Sequence, residues 1–352
     1  MSYENIVNSI RLLTNNIQPE LDITELLYRH NCTYLLTKIQ AKNNDTDKLK
    51  TDIVLNQICI YERYYTCKDI FDLFENIKIP YAVIKGAVLS KTAYGNVSYR
   101  KSGDIDLLIK REDIDRVKQI MLDNGFIQGR IIDKEIKRFT RQELIFQTGM
   151  SHQTAPFLKK TNNPLCPYVN IDINTDILWG EIRIKTDMDF VLRNTEVASI
   201  CHIQTLKLSS EMEFISLCLH HYKDMNSIYL LSQGSLKLSL FCDIYFYIKN
   251  TDLNLTQLQS ICNHLCVSQY VYYCIFYTNL IFSDSVLNQY LSALKAEKAE
   301  GILNTFGLSD DEIREWEIGF FDRLFMDNIN NYFNMHLSLK DLEKINTNKT
   351  FM

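Results

Sequence analysis

The sequence predicts an α+β protein in which a small mixed β-sheet is flanked by an N-terminal and a C-terminal helical part. Apolar residues recur at helical spacing up to about residue 78, form short β-branched runs after it, and return to helical spacing after about residue 206. These changes predict three parts: residues 1–78, 79–205 and 206–352. With 352 residues, 46% of them apolar, the chain can bury a sizeable core.

The N-terminal part has apolar residues three and four positions apart. Ile23 and Leu27 begin one such face, and Ile60 and Tyr64 belong to a later one. The polar stretch Lys42–Lys50 between these faces is typical of a linker. We therefore expect helices on both sides of a loop.

The central part combines short strands with helices. A helix is expected from Gly86 through Tyr94, and another over Glu112–Asn124, where Gly125 suits the C-terminal cap. The predicted strands are Ile79–Ile84, Ile105–Ile109, Phe126–Ile132, Arg141–Phe157 and Tyr168–Leu178. Ile105–Ile109 is apolar enough to be buried on both faces.

The C-terminal part again follows a helical period. Ser309 and Glu312 have the spacing of a capping box at the start of its last helix. The predicted helices are Ser210–Tyr222, Ser235–Ile248, Leu255–Phe282 and Asp310–Tyr332.

Composition narrows the class of protein. The net charge of −5 argues against a duplex-binding protein, so we do not expect a nucleic-acid partner. No apolar stretch approaches the roughly 18 residues that span a bilayer, so no membrane partner is expected. Ten cysteines without a secretory signal over Met1–Gln18 predict free thiols and a cytoplasmic location.

Asp104-Ile105-Asp106 is the most informative motif. In a strand, residues two positions apart point to the same face. Two carboxylates placed in this way can bind metal ions about 3.5–4 Å apart, as in two-metal phosphoryl-transfer sites. The alternative is a solvated strand edge with two surface acids.

The residues before the carboxylate pair fit a phosphate site. Lys85 and Gly86 come between a predicted strand and a helix, where backbone N–H groups can approach a phosphate and the lysine adds a charge. Arg100 precedes Asp104 by four residues and Gly103 directly precedes it. Arg100 could bind a phosphate or neutralise the carboxylates, and the sequence does not separate these roles.

Together these motifs resemble the bacterial, largely uncharacterised nucleotidyltransferases of the DNA polymerase β superfamily. The resemblance rests on Lys85-Gly86-Ala87-Val88-Leu89 and on Arg100-Lys101-Ser102-Gly103-Asp104-Ile105-Asp106-Leu107-Leu108-Ile109. It implies a polymerase β-like core, and that Asp104 and Asp106 bind metal while Lys85, Gly86, Arg100 and Gly103 bind the nucleotide. Ala87 departs from the wider superfamily, in which a serine follows the glycine.

The resemblance also implies a third carboxylate on a later strand. We choose Asp172, although Asp176 would share its face in a continuous strand. The family pattern often has a histidine two residues after this carboxylate, whereas Asn174 follows Asp172 and Leu178 follows Asp176. Nearby His152 could line the cleft or serve as a base, but a surface or packing role is the commoner one for such a histidine.

The resemblance implies a metal-dependent enzyme that moves a nucleoside monophosphate from a nucleoside triphosphate to an acceptor and releases pyrophosphate. Two Mg²⁺ ions, or Mn²⁺ in their place, would be the cofactors, and ATP is a candidate donor. The acceptor would be a small molecule or a peptide. A toxin-like transferase acting on RNA or protein, and a non-catalytic nucleotide-binding regulator, are the alternatives. The oligomeric state is not encoded in any of these motifs.

Overall fold

The structure, a computed structural model, describes residues 2–39, 43–150, 153–182, 184–295 and 299–351. Its helices are α1 (Tyr3–Thr14), α2 (Thr24–Arg29), α3 (Thr33–Leu36), α4 (Asn43–Asn76), α5 (Gly86–Tyr94), α6 (Ile114–Asp123), α7 (Arg141–Met150), α8 (Met188–Arg193), α9 (Ser210–Asn226), α10 (Ile228–Ser232), α11 (Leu238–Asn250), α12 (Leu255–His264), α13 (Ser268–Phe282), α14 (Ser285–Leu294), α15 (Phe320–Phe325), α16 (Ile329–His336) and α17 (Leu339–Phe351). Its strands are β1 (Tyr81–Ile84), β2 (Ile105–Ile109), β3 (Ile127–Ile132), β4 (Glu135–Arg138), β5 (Phe157–Lys160), β6 (Tyr168–Asn174), β7 (Thr195–Ile200), β8 (Ile203–Leu208), β9 (Thr305–Phe306) and β10 (Arg314–Glu315).

A mixed sheet lies at the centre of the fold. Within the described ranges it has eight strands in the order β4-β3-β5-β6-β2-β1-β8-β7. β2 runs parallel to β6 and β1 parallel to β8, while the other neighbours are antiparallel. The predicted α+β class with a mixed sheet between helical parts is confirmed, although the sheet is larger than expected.

The two faces of β2 belong to two different cores. Ile105, Leu107 and Ile109 pack with apolar residues of α4 and α6. Leu108, on the opposite face, packs with the large core of the C-terminal helices. Because side chains alternate along a strand, Asp106 shares the face of Leu108. The carboxylate pair therefore faces the C-terminal helices.

One predicted strand is a helix. Residues 141–150 form α7, so the strand prediction for Arg141–Phe157 is wrong over most of its length. Thr140 and Glu143 form a reciprocal capping box, in which each backbone N–H donates to the side chain of the other residue, at 2.7 and 3.3 Å. This local signal favours a helix over the strand that the apolar residues suggested.

Three other boundaries also differ from the predictions. α4 begins at Asn43, so most of the expected linker Lys42–Lys50 is helical. The single helix expected over Leu255–Phe282 is divided into α12 and α13 by a turn in which Cys266 has a φ of +57°. The predicted helix over Asp310–Tyr332 is replaced by β10, α15 and α16, and the Ser309 hydroxyl bonds to Asp311 rather than capping a helix.

The hairpin of β7 and β8 was not predicted. Its two-residue loop is Cys201-His202, and both residues have positive φ, at +49° and +67°. Such loops usually contain glycine or asparagine, so the sequence carries no familiar turn signal. β8 continues to Leu208, past the predicted boundary at residue 205.

As for membrane insertion, each helix in the described ranges is too short or too polar to serve as a transmembrane span.

Candidate active site

Three aspartates lie side by side on one face of the sheet. Asp106 on β2 is paired in register with Asp172 on the parallel strand β6. Asp104 precedes Asp106 by two residues and comes directly before β2. Residues in register on neighbouring strands point to the same face, so the carboxylates of β2 and β6 are neighbours.

Asp176, the alternative third carboxylate, is held elsewhere. β6 ends at Asn174, so Asp176 lies beyond the strand and no longer follows its alternation. Its Oδ1 accepts hydrogen bonds from the Leu178 N–H at 2.9 Å and the Thr186 hydroxyl at 2.6 Å. The geometry therefore brings Asp172, and not Asp176, next to Asp106.

The carboxylates carry more negative charge than their surroundings neutralise. Burial and the neighbouring charges of Asp104 and Asp106 raise the pKa of Asp172 to about 7. Burial and the charge of Asp106 also raise the pKa of Asp104 above its ordinary value. Like charges that are held together in a poorly solvated site disfavour ionisation. A cation bound between these groups would remove that cost.

The turn from β1 into α5 places Lys85 beside the carboxylates. Lys85 Nζ lies 3.2 Å from Asp106 Oδ1. Lys85 and Gly86 both have positive φ, at +59° and +48°. A Cβ on Gly86 would lie 3.1 Å from Ser102 Oγ, so conformation and space both favour glycine. The strained turn presents the N-terminus of α5 to the site, as in many phosphate sites.

Arg100 is ion-paired with an acid that the sequence did not suggest, and its charge also opposes the rise in the pKa of Asp104 that burial causes. Its Nε donates to Asp243 Oδ2 at 2.9 Å, and Asp243 is buried in α11. Tyr94 donates to the other oxygen at 2.6 Å, and His221 Nε2 lies 3.2 Å from Oδ2. Arg100 therefore joins the segment before β2 to the helical part. Gly103 is exposed, with nothing within 4 Å of the position of a Cβ.

Comparison with known proteins identifies the family. Residues 47–283 match a family described as uncharacterised nucleotidyltransferase. The chain belongs to that family. No curated protein matches the sequence. Among solved structures, the chain is similar to an antigenic nucleotidyltransferase-like protein from Paracoccidioides brasiliensis, with 16% identity, a TM-score of 0.38, and coverage of 68% of this chain and 95% of that chain. The family match confirms the resemblance to uncharacterised nucleotidyltransferases that residues 84–109 predicted.

In this nucleotidyltransferase, Asn174 occupies the place at which the family pattern often has histidine. Its Nδ2 donates to Asp106 Oδ1 at 3.0 Å. Gln153 in turn donates from Nε2 to Asn174 Oδ1 at 2.8 Å. Lys85 and Asn174 therefore fix the same oxygen of Asp106, and its other oxygen, Oδ2, is the one that remains for a ligand.

The residues chosen from the sequence include neither Lys223 nor His220. Both belong to α9 and line a cleft with Lys85 and Asn174. Burial lowers the pKa of Lys223, and the charge of Lys85 adds to this effect. Burial, Lys85 and Lys223 lower the pKa of His220 well below its ordinary value, so its imidazole is neutral. Their helical spacing with Asp224 was the available signal, since positions 220, 223 and 224 share one face.

Two further predictions have different outcomes. His152 lies outside the described residues. Ala87 is buried at the start of α5, and a serine at this position would replace an apolar core contact. The hydroxyl that approaches Gly86 in this protein belongs to Ser102.

The residues present fit the magnesium that the sequence predicts. Mg²⁺ prefers hard oxygen ligands, and one or two carboxylates together with phosphates usually hold it. Asp104, Asp106 and Asp172 offer such oxygens on one face, and burial together with the neighbouring carboxylates raises the pKa values of Asp104 and Asp172, an effect that a bound cation would oppose. Of the three carboxylates, only Asp106 forms an ion pair with Lys85.

Proposed function

We propose that the protein transfers a nucleoside monophosphate from a nucleoside triphosphate to a hydroxyl-bearing acceptor and releases pyrophosphate. The observation that carries this proposal is the register of β2 and β6, which aligns Asp106 with Asp172 beside Asp104. The family match supports nucleotidyl transfer in general. The metal requirement, the donor and the acceptor belong to the proposal.

The phosphates of the donor would lie in the cleft between the sheet and α9. Lys85 and Lys223 line this cleft, and burial together with the charge of Lys85 lowers the pKa of Lys223, an effect that a bound polyanion would reverse. Backbone N–H groups at the N-terminus of α5, next to Gly86, add donors for a phosphate oxygen. The neutral imidazole of His220 can donate to a phosphate without adding a further charge.

Asp104, Asp106 and Asp172 would hold Mg²⁺ or Mn²⁺. When bound, the metal neutralises charge on the phosphates and on the attacking oxygen. Lys85 and Asn174 both donate to Oδ1 of Asp106, so Oδ2, which has no hydrogen bond among the described residues, would bind the metal. Asp172, on the side of β2 away from β1, would orient the acceptor hydroxyl. Catalysis would rest on positioning and charge neutralisation.

In the reaction itself, the acceptor oxygen attacks the α-phosphorus. The bond between the α-phosphorus and the bridging α–β oxygen breaks, and pyrophosphate leaves with the bonding electrons. The hydroxyl proton is lost to solvent or to a carboxylate. No oxidant or further co-reactant is needed.

The test measures pyrophosphate release and transfer of the α-phosphate with each of the four ribonucleoside triphosphates. Small hydroxyl compounds and short peptides serve as acceptors, with Mg²⁺, with Mn²⁺ or with chelator. We expect metal-dependent turnover that Asp104→Asn and Asp106→Asn abolish while the melting temperature is retained. Asp115→Asn, at an exposed position of α6, is the matched control.

Full metal-dependent activity in either variant would overturn the site assignment. Absence of turnover with every donor, together with tight binding of a protein partner, would favour the non-catalytic alternative. Label that appears in RNA or protein of a cell lysate, and not in small molecules, would favour the toxin-like alternative.

A further inference from the structure

A large groove lies beside the carboxylates, between α2, α3, α4 and the segment 98–102. Its volume is about 560 Å³, which is within the usual size of small-molecule sites, roughly 300–1,000 Å³. Its polar and charged lining residues include Lys48, Asp52, Asn56, Arg63, Lys101 and Ser102. The donor phosphates of the proposed reaction would lie in the other cleft, so this groove is free for another ligand.

The groove reaches the reaction site through Ser102. Arg63 Nη1 donates to the Ser102 carbonyl at 2.8 Å, and the Ser102 hydroxyl donates to the Asp104 carbonyl at 3.0 Å. The cleft that contains Lys85 and Lys223 is lined by a different set of residues. The groove and the cleft are thus separate cavities, and each contains a residue bonded to the carboxylate segment: Ser102 in the groove and Lys85 in the cleft.

Arg63 points to the chemistry of the occupant. Only 8% of the residue is exposed, and its Nε has no hydrogen-bond partner. Among the residues with described side chains, no carboxylate lies within ion-pair distance of its guanidinium. The Ser102 carbonyl satisfies Nη1 but carries no full charge, so the buried guanidinium lacks an ion-paired carboxylate among the described residues, and a bound anion would supply one.

The surrounding charges favour the same occupant. Lys48, Arg63 and Lys101 line the groove, against a single acid, Asp52. The whole chain, by contrast, has a net charge of −5. A local excess of positive charge in an acidic protein attracts anionic ligands.

We propose that this groove binds the acceptor of nucleotidyl transfer, and that the acceptor carries a phosphate or carboxylate group bound by Arg63. This inference rests on the proposed function. The phosphates of the donor have their own cations, Lys85 and Lys223, in the cleft. The groove remains for the second substrate, whose hydroxyl would pass Ser102 to reach Asp104 and Asp172.

Cys59 allows the groove to be probed directly. It lines the groove and is partly exposed. Its modification rates with a sulfonate-bearing and a trimethylammonium-bearing methanethiosulfonate are measured by peptide mass spectrometry. We expect the ratio of anionic to cationic rates to be about fivefold higher than at the exposed Cys266. Arg63→Gln and Lys101→Gln should lower this ratio at Cys59. Lys68→Gln, at an exposed position of the helix α4 that also carries Cys59, is the control and should leave the ratio unchanged.

Protection experiments then separate the occupants. We expect glycerol 3-phosphate to slow modification of Cys59, glycerol to have no effect, and Arg63→Gln to remove the protection. With ATP and Mg²⁺, glycerol 3-phosphate should also be the better acceptor, about tenfold in kcat/KM. Equal protection by glycerol, no protection by either compound, or a rate ratio at Cys59 no higher than at Cys266 would overturn the proposal. Protection by ATP alone with the same dependence on Arg63 would assign the groove to the nucleotide and overturn it as well.

The two proposals fail in different ways. Pyrophosphate release without protection of Cys59 would leave the proposed function standing and remove the acceptor groove. Protection without any pyrophosphate release would remove the proposed function and retain an anion-binding groove. Because Arg63 also bonds to the segment before β2, its variants are checked by thermal unfolding. If Arg63→Gln does not fold, Lys101→Gln, at an exposed position, decides the outcome.

Discussion

Two clusters of charged side chains lie on the same side of the sheet. The structural cluster surrounds Asp243, and the carboxylate cluster consists of Asp104, Asp106 and Asp172. They differ in how their negative charge is balanced. Asp243 in α11 accepts bonds from Arg100 and Tyr94 and lies within bonding distance of His221. Burial alone would raise the pKa of Asp243, but Arg100 and His221 hold it below its ordinary value. Asp172 has two acidic neighbours instead, and its pKa rises to about 7.

The difference separates a structural acid from a ligand-binding acid. A buried carboxylate whose oxygens have partners within the chain stabilises the fold and needs nothing more. Buried carboxylates that repel one another are tolerated where a ligand supplies the missing charge. Each prediction below tests one side of this comparison.

The largest effect is expected when each of the two candidates for the third carboxylate is replaced in turn and the activities of the two variants are compared. Asp172→Asn should lower nucleotidyl transfer by at least about a thousandfold, because it removes a ligand oxygen from the metal site. Asp176→Asn, which affects an acid satisfied by Leu178 and Thr186, should retain transfer within about tenfold. Steady-state pyrophosphate release decides between them, and the reverse order would make Asp176 the third carboxylate.

A substitution in the cluster around Asp243 should lower the stability of the protein rather than its activity. Asp243→Asn leaves Arg100 without its counter-charge, so we expect a loss of about 3–5 kcal/mol in the free energy of unfolding. Urea denaturation measures this loss. Asp172→Asn, which relieves repulsion among the carboxylates and breaks no ion pair among the described residues, should cost far less, and equal losses in both variants would contradict the distinction between the clusters.

The two clusters should also give stability opposite dependences on pH in metal-free protein. The folded state holds the Asp172 proton more tightly than the unfolded state does, since its pKa is about 7 rather than 3.8. Stability should therefore fall as pH rises between about 4 and 7, and then level off. Asp243, with its lowered pKa, contributes stability that is lost as pH falls below about 4.

Thermal unfolding in chelator across this pH range measures both effects. Asp172→Asn should make the fall between about pH 4 and 7 shallower, with the part due to Asp104 remaining, and should leave the acid limb unchanged. A wild-type curve that rises through that interval would contradict the assignment of a raised pKa.

The smallest effect concerns Asn174, which orients Asp106 without belonging to the carboxylate set. Asn174→Ser should weaken Mg²⁺ binding about tenfold through loss of the bond to Asp106 Oδ1. Calorimetric titration measures the affinity. Asn174→His, which restores the residue of the family pattern, should retain more of it than serine does. Unchanged affinity in Asn174→Ser would show that Lys85 alone fixes Asp106.

The sequence determined the parts of this protein that depend on short-range pattern. Ile105–Ile109 is a strand with the predicted bounds, and Gly86–Tyr94 is the predicted helix. Motif spacing placed Asp104, Asp106 and Lys85 in one group, which the structure shows close together. Each of these features is set by residues near one another in the chain, where alternation and turn geometry are local.

Tertiary structure decided the rest. β6 ends at Asn174, and strand pairing across 66 residues of sequence sets Asp172 against Asp106, so neither could be read from alternation alone. Arg100 forms an ion pair with Asp243, 143 positions further along the chain, a partner that no local motif indicated. Lys223 and Arg63 belong to elements outside the motif, and only packing brings them to the site. Local pattern fixes which residues share a strand or a turn; which charges become neighbours depends on how distant elements pack, and that decided the chemistry of this site.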